Sequence, residues 1–148
     1  MGITEPIKLE TADKLEQVIA SKMSKSKPWT AIFIHDTPDE IRQKLRKAWC
    51  PEKAIEMNPV LEIAKHVIFH EHPTFRVERP EKFGGSVTFE NYEELAEAYG
   101  SGKLHPMDLK NGVAEALVVI LEPIRKYFES DKDAKDCMEV VQNLKVTR

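Results

Sequence analysis

Residues 105–126 read HPMDLKNGVAEALVVILEPIRK, a segment in which apolar residues recur at helical spacing. His105-Pro106 is a typical helix start, because an N–H at the first helical position has no partner within the helix and proline carries none. The spacing predicts a helix that continues to about Phe128. Its predicted buried residues are Val113, Leu117, Ile120, Leu121 and Ile124. A helix of this length indicates a mostly α fold.

Similar helix starts occur upstream. Thr37 is followed by Pro38 and Glu40, the pattern of a capping box in which the Thr and Glu side chains pair with N–H groups at the helix end. Asn58 and Asn91 also precede segments with helical spacing and are predicted N-caps. Two further predicted helices lie within residues 11–20 and 133–144.

Two short segments, 75–77 and 86–89, alternate in the manner of strands on either side of Gly84-Gly85. This arrangement predicts a small hairpin. The expected fold is therefore a mostly α helical bundle with one small β-hairpin.

The composition limits the possible partners. The formal net charge is −3, so the chain as a whole does not attract polyanions, and contact with nucleic acid has to come from local patches. The two cysteines are far apart in the sequence, which is typical of free thiols in a reducing compartment. No apolar run approaches the length of a membrane span, so a cytoplasmic protein with no membrane partner is expected.

Residues 22–26 read KMSKS. Two lysines three residues apart, with serine hydroxyls beside them, can hold a polyphosphate and stabilise the charge that develops in nucleotidyl transfer. By spacing alone, a solvated loop is the commoner interpretation of such a run.

Lys-Met-Ser-Lys-Ser is the second signature of the class I aminoacyl-tRNA synthetases. The sequence around and after it resembles the archaeal/eukaryotic-type tyrosyl-tRNA synthetases over roughly residues 20–128. The segments that carry the resemblance are DTPDEIRQKLRKAWCPEK (36–53), NPVLEIAKHVIF (58–69), RPEKFGGSVTFENYEEL (79–95) and HPMDLKNGVAEALVVILEPIRK (105–126).

The resemblance implies ATP as a substrate, accompanied by Mg²⁺, with no tightly bound cofactor and no protein-held metal. It gives Lys22 and Lys25 the catalytic task of binding the ATP phosphates and stabilising the departing pyrophosphate. Met23, Ser24 and Ser26 complete the phosphate-binding loop.

For recognition of tRNA(Tyr), the resemblance implies an anticodon site at Phe83, His105 and Asp108. The two rings would hold the first anticodon base, a guanosine, and the carboxylate would read it. Stacking suits an exposed ring, and a carboxylate can accept from the N1–H and N2–H₂ groups of guanine. Each residue also has a purely structural alternative: Phe83 in the hairpin core, His105 as an N-cap and Asp108 as a first-turn acid.

The resemblance further implies a division into residues 1–35, a remnant of the catalytic domain with the KMSKS loop, and residues 36–148, a helical anticodon-binding domain. On this interpretation the chain is the C-terminal portion of a tyrosine–tRNA ligase. Tyrosine would then bind only to the complete enzyme, and the portion alone would be inactive. The family is homodimeric, and this portion would be a monomer. The alternative is a stand-alone RNA-binding module without ligase activity.

Two other groups of residues have more than one interpretation. His66, His70 and His72 have a spacing that can hold zinc, but histidines near a helix end more often interact with the helix dipole. Four basic residues lie along the predicted helix after Thr37, and contact with the tRNA backbone and a simple solvated face are equally good interpretations. They are Arg42, Lys44, Arg46 and Lys47.

Overall fold

The computed structural model of this chain describes residue 3 and residues 28–143. The predicted helix at 11–20 and the KMSKS loop at 22–26 lie outside the described residues. The helices are α1 (Pro38–Lys47), α2 (Pro59–Ile63, continued by a π-helical segment Ala64–Ile68 and by Phe69–Glu71), α3 (Tyr92–Gly100), α4 (Pro106–Ser130) and α5 (Lys132–Asn143). The strands are β1 (Phe75–Val77) and β2 (Val87–Phe89).

The long helix α4 begins where the sequence predicts and ends two residues later than expected. Its Gly112 lies against the hairpin, where an added Cβ would be 3.0 Å from a methyl group of Val77 and 3.2 Å from the ring of Phe75. The hairpin itself is confirmed, with Phe75 paired to Phe89 in an antiparallel register. Glycine at 112 therefore allows α4 to pack closely on the sheet.

Helix α1 begins with the predicted capping box. The Glu40 N–H donates to the Thr37 hydroxyl at 3.3 Å, and the Thr37 N–H donates to the Glu40 carboxylate at 2.8 Å. The helix ends at Lys47. Its Arg42 forms two bonds of 2.7 and 2.9 Å to Glu115, which tie α1 to α4.

One hydrophobic core joins these elements. Ile41 and Leu45 of α1 pack with buried residues of α2, the hairpin, α3 and α4. Ile3 belongs to the same core; its N–H donates to the Thr30 carbonyl at 3.0 Å, and its carbonyl accepts from the Trp49 N–H at 2.7 Å. Described residues on both sides of position 35 therefore share a core.

The loop after α1 is fixed against the end of α3. The Tyr99 hydroxyl donates to the Pro51 carbonyl at 2.8 Å and lies 3.1 Å from the Cys50 sulfur. Burial raises the pKa of this hydroxyl. Just beyond, a Cβ at Gly100 would be 2.9 Å from the Ile55 side chain. These contacts hold the 50–55 loop beside the segment that leads into α4.

The structure confirms a mostly helical fold with one two-stranded antiparallel sheet. Among the described residues, no helix is both long enough and apolar enough to cross a membrane.

Candidate nucleic-acid interface

Phe83 lies at the end of a short 3₁₀ turn, Glu81–Phe83, between the two strands. Gly84 follows with a φ of +95°, a left-handed conformation that favours glycine, and its N–H donates to the Glu81 carbonyl at 2.9 Å. The Phe83 side chain is 59% exposed, and the Lys82 ammonium lies 4.9 Å from its ring centre. The alternative of a hairpin core residue is therefore wrong. The turn presents an aromatic surface to solvent.

His105 is the N-cap of α4. Its Nδ1 accepts from the Met107 N–H at 3.1 Å, and its carbonyl accepts from the Asp108 and Leu109 N–H groups. The N-cap alternative is thus confirmed. An imidazole that accepts at Nδ1 carries its proton at Nε2, so His105 keeps a donor on the other side of an exposed ring. A capping role and a ligand-facing donor are compatible in this geometry.

Asp108 occupies the first turn of α4, as the structural alternative predicts. Its side chain is half-buried. Within residues 28–143, no hydrogen bond or ion pair engages this carboxylate. Its acceptor oxygens are available to a ligand that carries donors.

Arg79 joins the Phe83 turn to the start of α4. Its Nε donates to the Gly85 carbonyl at 3.0 Å, and its Nη1 donates to the Lys103 carbonyl at 3.0 Å. Lys103 precedes His105 by only two residues. The planar guanidinium has several donors in a fixed geometry, which suits a bridge between two loops. The sequence alone does not predict this contact, because nothing local in RPEKFGG indicates a partner 24 residues away.

Arg79 thus places the turn that carries Phe83 against the loop that leads to the His105 N-cap, with Asp108 in the first turn of the helix that follows. These three side chains are of the kinds that bind an unpaired base: rings for stacking and polar atoms for the base edge. A carboxylate has two acceptor oxygens, and guanine presents two neighbouring donors, at N1 and N2.

The basic residues of α1 divide into two pairs. Arg42 is bound to Glu115 and Asp39, and Lys44 lies 2.6 Å from Asp36 with little exposure. Those two cations therefore stabilise the fold. Arg46 and Lys47 are exposed at the end of the helix.

One histidine of α2 has a carboxylate partner on the same helix. His66 Nε2 lies 3.2 Å from Glu62, one turn earlier on the same helix. In the part of the chain that the structure describes, no group of three or more His, Cys, Asp or Glu side chains is placed to hold a metal ion.

Comparison with known proteins identifies the relatives of this chain. The family model of "tRNA synthetases class I (W and Y)" matches residues 5–122. A tyrosine–tRNA ligase of Pyrococcus horikoshii is 51% identical over the whole chain, which covers 40% of that relative. One from Thermococcus sibiricus is 52% identical over 96% of the chain and 39% of the relative. The chain thus spans about 40% of the length of these relatives.

Solved structures of tyrosyl-tRNA synthetases also superpose on this chain. The crystal structure of the P. horikoshii tyrosyl-tRNA synthetase with L-tyrosine superposes with a TM-score of 0.80 at 49% identity, covering 94% of this chain and 38% of that one. A Leishmania major tyrosyl-tRNA synthetase superposes with a TM-score of 0.66 at 31% identity, over 80% of this chain and 17% of that one. The fold is therefore that of a region of these synthetases.

One prediction is overturned by these comparisons. The chain was expected to be a C-terminal portion that supplies the ATP-phosphate loop and anticodon recognition. The class I model instead matches residues 5–122, so the chain aligns with the catalytic region that this model describes and not with a separate C-terminal portion. The single core that includes both Ile3 and the helices after position 35 agrees with this correction.

Proposed function

Because this chain belongs to the family of class I tRNA synthetases (W and Y), we propose that it takes part in tyrosine–tRNA ligation. In this reaction tyrosine is activated with ATP and transferred to its tRNA. The support is the identity of about half the residues with archaeal tyrosine–tRNA ligases across nearly the whole chain. The proposed partners are tRNA, ATP with Mg²⁺, and tyrosine.

Lys22 and Lys25 are the residues that we propose for the ATP phosphates. The support is the KMSKS word itself, since these positions lie outside the described residues. Two cations on one loop would stabilise the negative charge of the leaving pyrophosphate more than that of bound ATP, which is the condition for catalysis. Met23, Ser24 and Ser26 are proposed to support them. The division of the chain at residue 35 stays a prediction.

We further propose that Phe83, His105 and Asp108 bind one unpaired guanosine of the tRNA. The resemblance implies the first anticodon base. The observation that carries this proposal is the Asp108 carboxylate, half-buried beside a capping imidazole and not engaged by any described side chain or N–H group. Arg79 joins the aromatic turn to Lys103, five residues before Asp108.

The proposal is tested by measuring the affinity of the purified chain for tyrosine tRNA and for a tRNA of another amino acid. We expect tighter binding of the tyrosine tRNA. Equal affinity for both tRNAs would contradict selective recognition by this chain. We also propose that the chain alone is a monomer, which light scattering or sedimentation decides.

Because the chain spans about 40% of its relatives' length, we expect no tyrosine-dependent exchange of pyrophosphate into ATP from the chain alone. Measurable exchange, abolished in Lys25→Ala, would contradict that expectation and assign the activity to this chain.

A further inference from the structure

Three segments near the start of α4 are rich in basic residues. Residues 46–53, 79–85 and 101–110 together carry seven Lys or Arg and three Asp or Glu, whereas the whole chain carries 22 and 25. The excess of positive charge is therefore local, on a protein whose net charge is negative. A local excess of this kind is what contact with a polyanion requires.

The first two links between these segments are made by lysines. Lys110 Nζ donates to the Arg46 carbonyl at 3.3 Å, so α4 contacts the end of α1. Lys53 lies across Gly102, where an added Cβ would be 2.6 Å from Lys53 Cε and 3.5 Å from its Nζ. Gly102 has a φ of +82°, a left-handed conformation that favours glycine. The exposed Lys53 side chain lies over the loop that enters α4.

The third link is Arg79, whose guanidinium donates to the Lys103 carbonyl. It brings the 79–85 segment, with Phe83, against the same loop. Gly102 and Lys103 are three and two residues before His105, a span of at most about 11 Å of chain. The 46–53 and 79–85 segments therefore both contact the 101–110 segment, which carries His105 and Asp108.

The lysine side chains at this place are available to a ligand. Lys53 and Lys103 are exposed, and the half-buried Lys110 keeps two ammonium N–H groups besides the one that it donates to the Arg46 carbonyl. Among the described residues, no carboxylate lies within ion-pair distance of these three. By contrast, Arg42 and Lys44 of α1 are paired with acids.

We propose that Lys53, Lys103 and Lys110, the lysine collar, bind the phosphodiester backbone of the RNA segment whose base occupies the site of Phe83, His105 and Asp108. This inference rests on the proposed function. An unpaired base enters its site with charged phosphates on both sides, and surfaces that bind single strands combine an aromatic platform with surrounding cations. The exposed Phe83 ring favours RNA over an acidic protein segment, which offers no base to stack.

The test is the salt dependence of RNA binding by the full chain. The probe is a tRNA anticodon stem–loop with guanosine as the first anticodon base, and the variant carries Lys53→Gln, Lys103→Gln and Lys110→Gln. The slope of log affinity against log salt falls by about 0.7 for each single-strand phosphate that the protein no longer neutralises, so we expect a slope smaller by about 2. The loss in affinity should be the same when adenosine replaces the guanosine, because phosphates carry no base identity.

The matched control removes three other lysines, with Lys126→Gln, Lys132→Gln and Lys135→Gln. Lys126 lies about 30 Å along α4 from Pro106, and the other two are exposed on α5. The control should keep the wild-type slope, and a Lys→Arg triple variant of the collar should keep it too. Circular dichroism checks that every variant is folded.

Several results would overturn the collar: an unchanged slope in the Gln variant, an equal fall in the control, no RNA binding by the wild type, or displacement of RNA by polyglutamate at equal charge concentration. Failure of the proposed base site can be distinguished from failure of the lysine collar. If Asp108→Asn leaves the preference for guanosine unchanged while the Gln variant lowers the slope, the base assignment is wrong and the collar stands.

Discussion

The starts of α1 and α4 have nearly the same sequence pattern and different outcomes. Thr37-Pro38-Asp39-Glu40 and His105-Pro106-Met107-Asp108 each place an N-cap, a proline and, at the third helical position, an acid. In α1 the acid turns back, and the Glu40 carboxylate accepts from the Thr37 N–H and hydroxyl at 2.8 Å. In α4 the Asp108 carboxylate takes no such bond among the described residues.

Side-chain length and cap chemistry explain the difference. Glutamate is one methylene longer than aspartate and reaches the N-cap, which is why capping boxes use Glu or Gln at this position. At α4 the imidazole already satisfies the Met107 N–H. At the start of α1 the acid is thus used within the helix and contributes to stability, whereas at the start of α4 the acid is left for a ligand. Substitutions at either helix start can test this contrast.

The largest expected effect is on binding at the α4 side. Phe83→Ala should weaken binding of tyrosine tRNA by about 1–3 kcal/mol, the usual contribution of one stacked base. The free energy of unfolding should change little, since the ring is 59% exposed. The control is Tyr127→Ala, which removes another aromatic side chain, 57% exposed and about 30 Å along α4 from Pro106. Equal loss of affinity in both variants would count against a specific stacking site.

A smaller effect is expected on stability at the α1 side. Thr37→Ala removes the hydroxyl of the closed capping box and should lower the free energy of unfolding by about 1 kcal/mol. Denaturant unfolding measures this change. Thr37→Ser keeps the hydroxyl and should retain most of the wild-type stability. Affinity for tRNA should not change. A loss of affinity with intact stability would show that the two helix starts do not differ as described.

Converting the open start into a closed one should have opposite effects on stability and binding. Asp108→Glu supplies the longer acid of a capping box, so we expect unfolding to cost about 0.5 kcal/mol more. The preference for guanosine should weaken because the carboxylate is then drawn toward the N-cap. Increased stability with an undiminished preference would contradict the idea that capping and ligand binding compete for this acid.

The smallest effect concerns acid pH. The Thr37 N–H, followed by the Thr37 hydroxyl, lowers the pKa of Glu40 below 4.5, its usual value. A lowered native pKa means that the contribution of Glu40 is complete above pH 4.5 and is lost as the pH falls through the native value. Because Glu40 is exposed, a few tenths of a kcal/mol are expected. In Glu40→Gln the free energy of unfolding should therefore depend less on pH over this range. An unchanged pH dependence would contradict the capping-box contribution of Glu40.

Local signals explain why the helix starts could be predicted. Thr37, Asn58, Asn91 and His105 all cap helices in the structure. A cap, its proline and the apolar spacing lie within one or two turns of sequence, so short-range patterns contain the information. The hairpin around Gly84-Gly85 is of the same kind.

Contacts distant in sequence were not predictable in the same way. Arg79 to Lys103 and Lys53 to Gly102 join segments 24 and 49 residues apart. The π-helical segment of α2 was missed as well, since its apolar pattern reads as an ordinary helix. The basic stripe of α1 could be interpreted only once Glu115 and Asp36 were seen beside Arg42 and Lys44. The assignment of the chain to the region that the class I model describes came from the family match, not from local patterns.

The most direct test of the central claim is the base preference of Asp108→Asn. Asparagine has the shape of aspartate, but its amide NH₂ cannot accept from a second guanine donor. We predict that the preference for guanosine over adenosine in the stem–loop falls about tenfold or more, while the free energy of unfolding changes by less than about 0.5 kcal/mol. An unchanged preference would show that Asp108 is only a first-turn acid of α4, and the contrast between the two helix starts would then have no bearing on RNA.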